Sequence, residues 1–409
     1  MMFDSEKLRK DLEHFQIDED GSEVIKNSVL EISIPQFSFK QQIVSGKAKA
    51  DREHSMSPFH QFHIASITKT MTATLILQLC EIGVFGSKGL DTTLDELPIF
   101  STKVLSRLHN KNNISKGSNI TIKQLLTHTS GLKDPYSDDA NGIASEYDSG
   151  IAPNSIAAQW QSDLEKMGSG DSSFDKKTAI IFKNWIPWDA AQVDNKEAGM
   201  LNYYINTLGD SPVALPGEIY HYSDTGFVIL ALIAEKMSSK SYHRLLRDNI
   251  FDPLGMDSTY LAYASDPKPN KWEKEISDCY AGPFPMVTGG FNFSFDWGGG
   301  GVVSTASDLN LFLEELIKGA LFIKPDTLKE MLDFKTYRGL ENSGIKMGLG
   351  IFEEKNKKNG IILWGHDGAW GTVLYYEPSK GIYISGTVNQ LVGVPAGWLN
   401  RLVTLVKSY

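Results

Sequence analysis

The sequence predicts a mixed α/β (α+β) protein in which an antiparallel β-sheet, flanked by N- and C-terminal helices, joins a mainly helical lobe. Three observations predict this class. Strand-like alternation occurs near the start of the chain, helical spacing dominates the middle, and further strand-like runs precede a last apolar segment. Because both ends contribute strands, we expect residues 1–65 and 298–409 to form the α/β lobe and residues 66–297 the helical lobe.

The N-terminal part predicts one helix followed by two strands. The apolar residues Leu8, Leu12 and Phe15 recur at helical spacing. Asp4 or Ser5 before them is suited to cap this helix. Polar and apolar residues alternate over 28–34, and Phe37 and Phe39 continue that period. Together with the run 42–48, this alternation predicts two antiparallel strands.

The middle of the chain carries helical patterns. The strongest covers residues 67–82, where apolar side chains recur at intervals of three and four despite several threonines. Others cover residues 121–128, 225–237, 242–248 and 308–318, the last after a capping pattern at 305–308. A long segment, 133–215, mixes Gly/Ser-rich pieces with aromatic residues, and this content favours an ordered, cap-like insertion over a disordered linker.

Strand-like runs return near the C-terminus. They lie at 347–352, 361–365, 372–376 and 382–388, separated by turn residues such as Asn359-Gly360. This spacing predicts an antiparallel meander. The apolar segment 398–406 predicts a last helix, which we expect beside the first helix on the same sheet.

Composition and charge exclude several classes of protein. The 409 residues are 41% hydrophobic and 22% charged, as in globular domains. The net charge of −10 argues against nucleic acid as a partner. No run is long enough to span a bilayer and no signal pattern opens the chain, so we expect a cytoplasmic protein unless a leader was removed. Cys80 and Cys279 are expected to be free thiols, and the oligomeric state stays open.

One Ser-x-x-Lys pair stands out among five. The pattern occurs at Ser66/Lys69, Ser130/Lys133, Ser173/Lys176, Ser265/Lys268 and Ser343/Lys346. Only the first opens a strong helix, where a spacing of three places hydroxyl and amine on one face, and where backbone N–H groups favour an oxyanion. A lysine can activate a serine only if burial or a nearby cation lowers its pKa. The alternative is a capping serine with a solvated lysine.

Further motifs accompany this pair in a fixed order. They lie at residues 64–69, 125–132, 222–226 and 366–368, with flanking matches at 216–217, 252–256 and 300–306. Together they resemble the serine β-lactamase and penicillin-binding protein superfamily, in its branch of class C β-lactamases, D,D-peptidases and family VIII esterases. The resemblance runs from about Val29 to the end of the chain and is weakest over 133–215.

The resemblance implies a β-lactamase/transpeptidase-like fold and a mechanism. Ser66 would be acylated, Lys69 and Tyr222 would form the acid/base pair, and Tyr222 would protonate the leaving group. A phenol with an ordinary pKa of about 10 can serve in this way only beside an ammonium group, here Lys69. No cofactor is implied, because water or another nucleophile resolves the acyl-enzyme.

Two departures from the lactamase pattern affect the expected substrate. Asp224 replaces an amide side chain, and we expect it to pair with Lys69 instead of donating to a substrate amide. His366, Asp367 and Gly368 replace Lys-Thr-Gly, which removes a permanent cation for a substrate carboxylate but keeps an edge strand and, through the Ala369 N–H, an oxyanion donor.

Other candidate sites are weaker. His60 and His63 are three residues apart on a predicted strand, where they would point to opposite faces, so we expect no metal. Residues 298–301 lack the spacing of a phosphate-binding loop and predict a sharp strand entry instead. His128 lies within a motif that favours a packing role.

These observations predict a serine hydrolase or acyltransferase that acts on esters or on D-amino-acid peptides and amides. The site would lie in the cleft between the two lobes and bind a small-molecule or peptide acyl substrate. A true β-lactamase and a penicillin-binding D,D-carboxypeptidase stay as alternatives. An alternative of another class is a binding protein on the same fold with negligible turnover.

Overall fold

A computed structural model of the chain describes residues 3–15, 17, 25–51, 53–264, 275–391 and 397–409. The helices are α1 (Ser5–Glu13), α2 (Thr68–Glu81), α3 (Thr102–Leu108), α4 (Ile122–Leu126), α5 (Ile156–Ser169), α6 (Met200–Thr207), α7 (Asp224–Ser238), α8 (Tyr242–Leu246), α9 (Asp252–Leu254), α10 (Trp297–Gly300), α11 (Ala306–Ile317), α12 (Pro325–Met331) and α13 (Trp398–Lys407). The strands are β1 (Asn27–Ile34), β2 (Phe39–Gly46), β3 (Phe62–His63), β4 (Asn110–Lys111), β5 (Ile114–Ser115), β6 (Tyr260–Leu261), β7 (Tyr280–Ala281), β8 (Phe284–Pro285), β9 (Val302–Ser304), β10 (Ile345–Met347), β11 (Phe352–Lys355), β12 (Ile362–Gly368), β13 (Thr372–Glu377) and β14 (Ile382–Thr387).

The largest sheet joins both ends of the chain. Its order is β10-β11-β12-β13-β14-β1-β2, and every neighbouring pair is antiparallel. The register of β1 against β14 pairs Val29 with Thr387 and Ile32 with Ile384. The predicted mixed fold, with an antiparallel sheet built from both termini, is confirmed.

Both faces of this sheet are covered. On one face, Leu8 and Leu12 of α1 and Leu402 of α13 pack in one apolar cluster with Leu30 and Ile32 of β1, as the sequence predicts. The other face meets α11, so all of β1 is buried, including its polar residues. These find partners: for example, the Ser33 hydroxyl donates to Asn310 Oδ1 at 3.0 Å. The alternation of polar and apolar residues in β1 therefore distinguishes two buried faces of the strand, and not a buried face from a solvent-exposed one.

The strand predicted at 347–352 is wrong. Met347 ends β10 and Phe352 begins β11, but residues 348–351 connect the two strands. Their backbone groups bond outside the sheet: the Leu349 N–H donates to the Met331 carbonyl and the Gly350 N–H to the Leu126 carbonyl. Gly350 has a φ of 66°, and a Cβ there would lie 2.5 Å from the Ala73 Cβ. Close approach to α2 therefore overrides the apolar run.

Helix α2 is buried on nearly every side, including its threonines. Thr74 donates to the Thr70 carbonyl at 2.8 Å, and Thr70 to the Gly350 carbonyl at 2.9 Å. Because each hydroxyl finds a carbonyl acceptor, threonines are tolerated inside the core.

A small sheet, β3-β9-β6, has strands of only two or three residues. The strand predicted through His60 and His63 is present only at Phe62–His63, and β6 was not predicted because it is so short. This sheet positions the chain that enters α2. After β3, the Ile64 N–H donates to the Val302 carbonyl of β9 at 3.0 Å. His63 on β3 stacks on Phe293 with 3.8 Å between ring centroids, whereas His60 Nδ1 accepts the Ser57 N–H. The two histidines therefore have separate packing partners.

Segment 133–215 is built from α5, α6 and short turns. The Tyr136 hydroxyl donates to the Phe295 carbonyl at 3.1 Å, and Trp160 lies 4.6 Å from Phe295 between ring centroids. Aromatic side chains thus attach the segment to the residues before α10. Among the described residues, no helix combines the length and apolar character needed to cross a membrane. Both cysteines are free thiols, as expected.

Candidate active site

Ser66 lies in the turn that leads from β3 into α2. Residues Ala65–Ile67 form one 3-10 turn, and the Ile67 N–H donates to the Ile64 carbonyl at 3.3 Å. Ala65 has a φ of 48°, a left-handed conformation that costs a residue other than glycine roughly 1 kcal/mol or more. Such strain persists only where the surrounding structure fixes the backbone, and here it stands directly before a partly exposed serine.

Lys69 lies one helical turn after Ser66 and is fully buried. Its Nζ donates to Ser66 Oγ at 3.1 Å and to the Gly299 carbonyl at 2.8 Å. The same ammonium forms an ion pair with Asp224. The spacing of three residues therefore does place the amine beside the hydroxyl, and the lysine is not the solvated residue of the alternative interpretation.

Tyr222 reaches Ser66 from the stretch just before α7. Its phenolic O–H donates to Ser66 Oγ at 2.8 Å, and the Lys69 ammonium lies 4.8 Å from the centroid of its ring. His128 stacks on this ring and accepts the Ser223 N–H at Nδ1. The structure thus brings Ser66, Lys69 and Tyr222 together around one oxygen atom.

The charges at this point differ from those expected. Burial acts to lower the pKa of Lys69, but the Asp224 and Asp296 carboxyl groups outweigh it and raise that pKa above its usual value. Burial raises the pKa of Tyr222 well above its usual value, and the Asp224 carboxylate adds to the increase. The resting site therefore does not have the lowered Lys69 pKa that activation of the serine requires, although the lysine is buried.

Three buried carboxyl groups surround Lys69. Asp224, the first residue of α7, forms the ion pair that the sequence predicts. Asp296 Oδ2 lies 4.0 Å from Lys69 Nζ, and Asp134 Oδ1 accepts the Asp224 N–H at 3.4 Å. Burial, with the Asp224 charge, raises the pKa of Asp134 to about 8 and that of Asp296 well above its usual value. The ion pair of Lys69 with Asp224 therefore lies beside two acids whose pKa values are raised.

Sequence reasoning missed Asp134 and Asp296. Each lies close to a motif of another kind. Asp134 directly follows the lysine of a second Ser-x-x-Lys pair, and Asp296 lies shortly before the Gly-rich run 298–301. Residues 298–300 of that run lie in the short helix α10, and Gly301 leads directly into β9, so the predicted strand entry is present after a helical turn. An acid two residues before consecutive glycines was the one signal for Asp296 in the sequence.

His366 lies on β12 and is neutral. Its Nδ1 is 2.6 Å from the Asp367 carbonyl oxygen, which can only accept, so Nδ1 carries the ring proton. Burial lowers the pKa of His366 to about 3, and the Lys69 charge adds to this effect. The position therefore supplies no cation near neutral pH, as expected from the replacement of Lys-Thr-Gly.

Gly368 ends β12 beside the turn that carries Ser66. A Cβ on Gly368 would lie 2.7 Å from the Ile64 carbonyl oxygen, and the Thr372 hydroxyl donates to that same oxygen at 2.9 Å. The loop that carries Ala369 is therefore attached to the strand before the serine. The role of the Ala369 N–H as an oxyanion donor stays a prediction.

The other Ser-x-x-Lys pairs have different surroundings. Lys133 donates to the Asp139 carbonyl, Lys346 pairs with Glu353, and Lys176 lies over the Phe182 ring. The pair Ser265/Lys268 lies outside the described residues. Within the part of the chain that the structure describes, no group of three or more His, Cys, Asp or Glu side chains is arranged to hold a metal ion.

A family model described as Beta-lactamase matches residues 19–406 of the chain. Among curated proteins, the putative penicillin-binding protein PbpX of Bacillus subtilis (strain 168) is 25% identical over 287 residues, which cover 69% of this chain and 54% of that protein. The chain thus spans only about half the length of that relative.

Two solved structures share the fold over nearly all of both chains. A D-stereospecific amidohydrolase from Streptomyces sp. has a TM-score of 0.68 at 20% identity, with 98% of each chain covered. EstCE1, described as a hydrolase with promiscuous acyltransferase activity, has a TM-score of 0.64 at 18% identity, again with 98% of each chain covered. At such identities the likeness concerns the fold alone.

Proposed function

The chain belongs to the Beta-lactamase family, and from this premise we propose that it is a serine hydrolase or acyltransferase that works through an ester on Ser66. One observation carries the proposal. Ser66 Oγ is in hydrogen-bond contact with both the Tyr222 hydroxyl and the Lys69 ammonium, at 2.8 and 3.1 Å. A hydroxyl within reach of two proton-transfer groups is the arrangement that nucleophilic catalysis requires.

The proton path follows from the resting charges. Lys69 becomes a base when its ammonium gives a proton to a neighbouring carboxylate, and Asp224 is the ion-paired acceptor. The free amine, directly or through Tyr222, then takes the Ser66 proton while Oγ attacks the substrate carbonyl carbon. Tyr222 protonates the leaving group. Water repeats the cycle on the acyl-enzyme, and N–H groups of Ser66 and Ala369 would stabilise each oxyanion.

The site favours acyl substrates without a free carboxylate. His366 is buried and neutral where the lactamase pattern has a cation, and Asp224 carries negative charge where that pattern has an amide. Both changes disfavour a carboxylate-bearing β-lactam. The two structural neighbours, a D-stereospecific amidohydrolase and a hydrolase with promiscuous acyltransferase activity, support esters and D-amino-acid amides as the classes to test.

Steady-state kinetics with p-nitrophenyl esters, D- and L-amino-acid amides, an acyl-D-Ala-D-Ala peptide and a chromogenic cephalosporin test the proposal. We expect turnover of esters or D-amides, loss of that turnover in Ser66→Ala, and an acylated species in intact-mass spectra of the wild type alone. Preferred turnover of the cephalosporin would support a β-lactamase, and of the peptide a D,D-carboxypeptidase. Stoichiometric acylation without turnover would support a binding protein.

A further inference from the structure

Asp296 is placed where its charge must act on Lys69. It ends the turn Ser294–Asp296, is 6% exposed, and has Oδ2 4.0 Å from Lys69 Nζ. Among the described residues, its Oδ1 has no hydrogen-bond partner. A buried carboxylate without compensating bonds is costly, so this position favours a neutral acid.

The glycine run explains how the carboxyl group fits there. A Cβ on Gly299 would lie 2.2 Å from Asp296 Oδ1, and a Cβ on Gly300 would lie 2.2 Å from Oδ2. Only residues without a side chain let the backbone wrap so closely around the carboxyl group. The same backbone presents the Gly299 carbonyl to Lys69. Asp296 and one acceptor of the Lys69 ammonium are therefore held by one short stretch of chain.

The groups that face Asp296 come from several elements. Lys69 lies on α2 and Asp224 on α7, and Asp134 contributes a third carboxyl group. The phenols of Tyr136, Tyr222 and Tyr242 are close enough for the Asp296 charge to raise their pKa values. Lys69 is the single cation that acts on Asp296 among these described groups. A second carboxylate would therefore leave the cluster with uncompensated negative charge.

We infer that Asp296 is a positioning residue for Lys69, which as a neutral acid leaves the lysine able to release a proton and as a carboxylate holds it as an ammonium. The inference rests on the proposed function at one point, the role of Lys69 as the base for Ser66. Below the pKa of Asp296, the ion pair with Asp224 alone governs Lys69. Above it, a second negative charge 4.0 Å away stabilises the ammonium, and the free base becomes scarcer.

The test compares Asp296→Asn with the wild type from pH 7 to pH 10. The amide mimics the neutral acid but cannot ionise, so the ratio of kcat/KM, variant over wild type, is expected to rise at least tenfold across this range. Asp308→Asn is the matched control, because Asp308 is a buried carboxyl group whose pKa is raised to about 6 by burial and which bonds Thr259 instead of the site. Its ratio is expected to stay flat.

A spectroscopic measurement tests the same claim without turnover. At pH 9 most Asp134 and Asp308 carboxyl groups are ionised, since their pKa values are about 8 and about 6. In Asp134→Asn an infrared band of a protonated carboxyl group should be present at pH 7 and should weaken as the pH rises to 10, over the same range in which the kcat/KM ratio rises. That component should be missing in Asp296→Asn. If Asp296→Asn does not fold, the pH dependence of the band in Asp134→Asn decides.

Three results would overturn the inference: a flat ratio for Asp296→Asn, a loss above a hundredfold at pH 7 in a folded variant, or a carboxyl band in Asp134→Asn that is absent at pH 7 or unchanged at pH 10. Failure of the proposed function looks different. In that case the wild type would show no Ser66-dependent turnover, while the infrared band would still report the charge of Asp296.

Discussion

The ring of His128 stacks on the ring of Tyr222, with 4.4 Å between centroids and 25° between planes. The same histidine is 1% exposed, has a φ of 55°, and accepts the Ser223 N–H at Nδ1. Because Nδ1 is an acceptor, the neutral ring carries its proton on Nε2. His128 therefore holds both the ring of the phenol and the backbone behind it.

We predict that His128→Phe and His128→Ala differ in their effects. Phenylalanine keeps the stacking but leaves the Ser223 N–H without its acceptor, which costs about 1–3 kcal/mol of unfolding free energy. Alanine also removes the packing and should lower kcat/KM further. Urea unfolding and ester kinetics measure the two effects, and equal losses of kcat/KM in both variants would contradict a role for stacking.

Tyr222→Phe removes the proton carried by the phenol and keeps its ring. We expect kcat/KM to fall by about 10²–10⁴ with little change in stability. Tyr242→Phe is the control, because Tyr242 is a buried tyrosine whose hydroxyl lies 2.6 Å from the Thr72 hydroxyl, away from Ser66. It should lose stability and keep its activity. Full activity in Tyr222→Phe would assign the proton transfer to Lys69 alone.

Asp224→Asn should lower kcat/KM, because it removes the carboxylate that accepts the Lys69 proton, and should move the pH dependence of the remaining acylation toward acid. The Asp224 carboxylate raises the pKa of Lys69, so its removal lowers that pKa and provides the free amine at lower pH. Breaking a buried ion pair should also cost about 3–5 kcal/mol at pH values where Lys69 stays charged. Glu31→Gln, which breaks the pair between Glu31 and Lys40 on the large sheet, should leave the pH profile in place.

His63→Phe should make the protein less sensitive to acid. Burial, with the Lys49 charge, lowers the pKa of His63 from 6.5 to about 3, so below pH 6.5 the unfolded chain binds a proton that the folded chain does not. Stability is therefore lost as the pH falls, by about 1.4 kcal/mol per pH unit, or about 2 kcal/mol by pH 5. Phenylalanine keeps the stacking on Phe293 and removes this slope. Denaturant midpoints at pH 7 and pH 5 should show a smaller loss of stability in the variant than in the wild type. Equal losses of stability in both proteins would refute the prediction.

Gly368→Ala should disturb the site through sterics alone. A Cβ would lie 2.3 Å from the Thr372 hydroxyl oxygen and 2.7 Å from the Ile64 carbonyl oxygen, so the strand before Ser66 has to shift. We expect lower kcat and lower stability. Gly168→Ala, in α5 with no atom within 4 Å of the new Cβ, should instead stabilise the protein by roughly 0.5–1 kcal/mol. A Gly368→Ala variant with wild-type kcat would show that this contact is soft.

The sequence predicted those parts of the fold where one local rule decides. The spacing from Ser66 to Lys69 and the helical period after it required only the geometry of one helix, and the later strands followed from alternation. The strand predicted at 347–352 was wrong because backbone groups in its middle bond to α2 and α4 instead of to a neighbouring strand. No local sequence pattern records such contacts. The two-lobe division at residues 66 and 298 stays a prediction.

The site was predictable in its motifs and not in its charges. Recognisable sequence motifs contain Ser66, Lys69, Tyr222 and Asp224. We could therefore expect these side chains to lie close together. The direction of the Lys69 pKa was not predicted, because the effects of Asp224 and of Asp296, which lies in no motif, had to be weighed against burial. Burial argued for a lowered pKa, and two nearby carboxyl groups reversed the sign.

The pairing of β1 with β14 also governs how the chain can be made. A ribosome releases β1 and β2 early, whereas β14 emerges only after almost all of the remaining sequence. Until then the nascent hairpin lacks its neighbour, and an unpaired strand edge invites association with other chains. Completion of the sheet is thus a late event in folding, and pulse-labelled hydrogen exchange should find the amides of β1 protected later than those of α2.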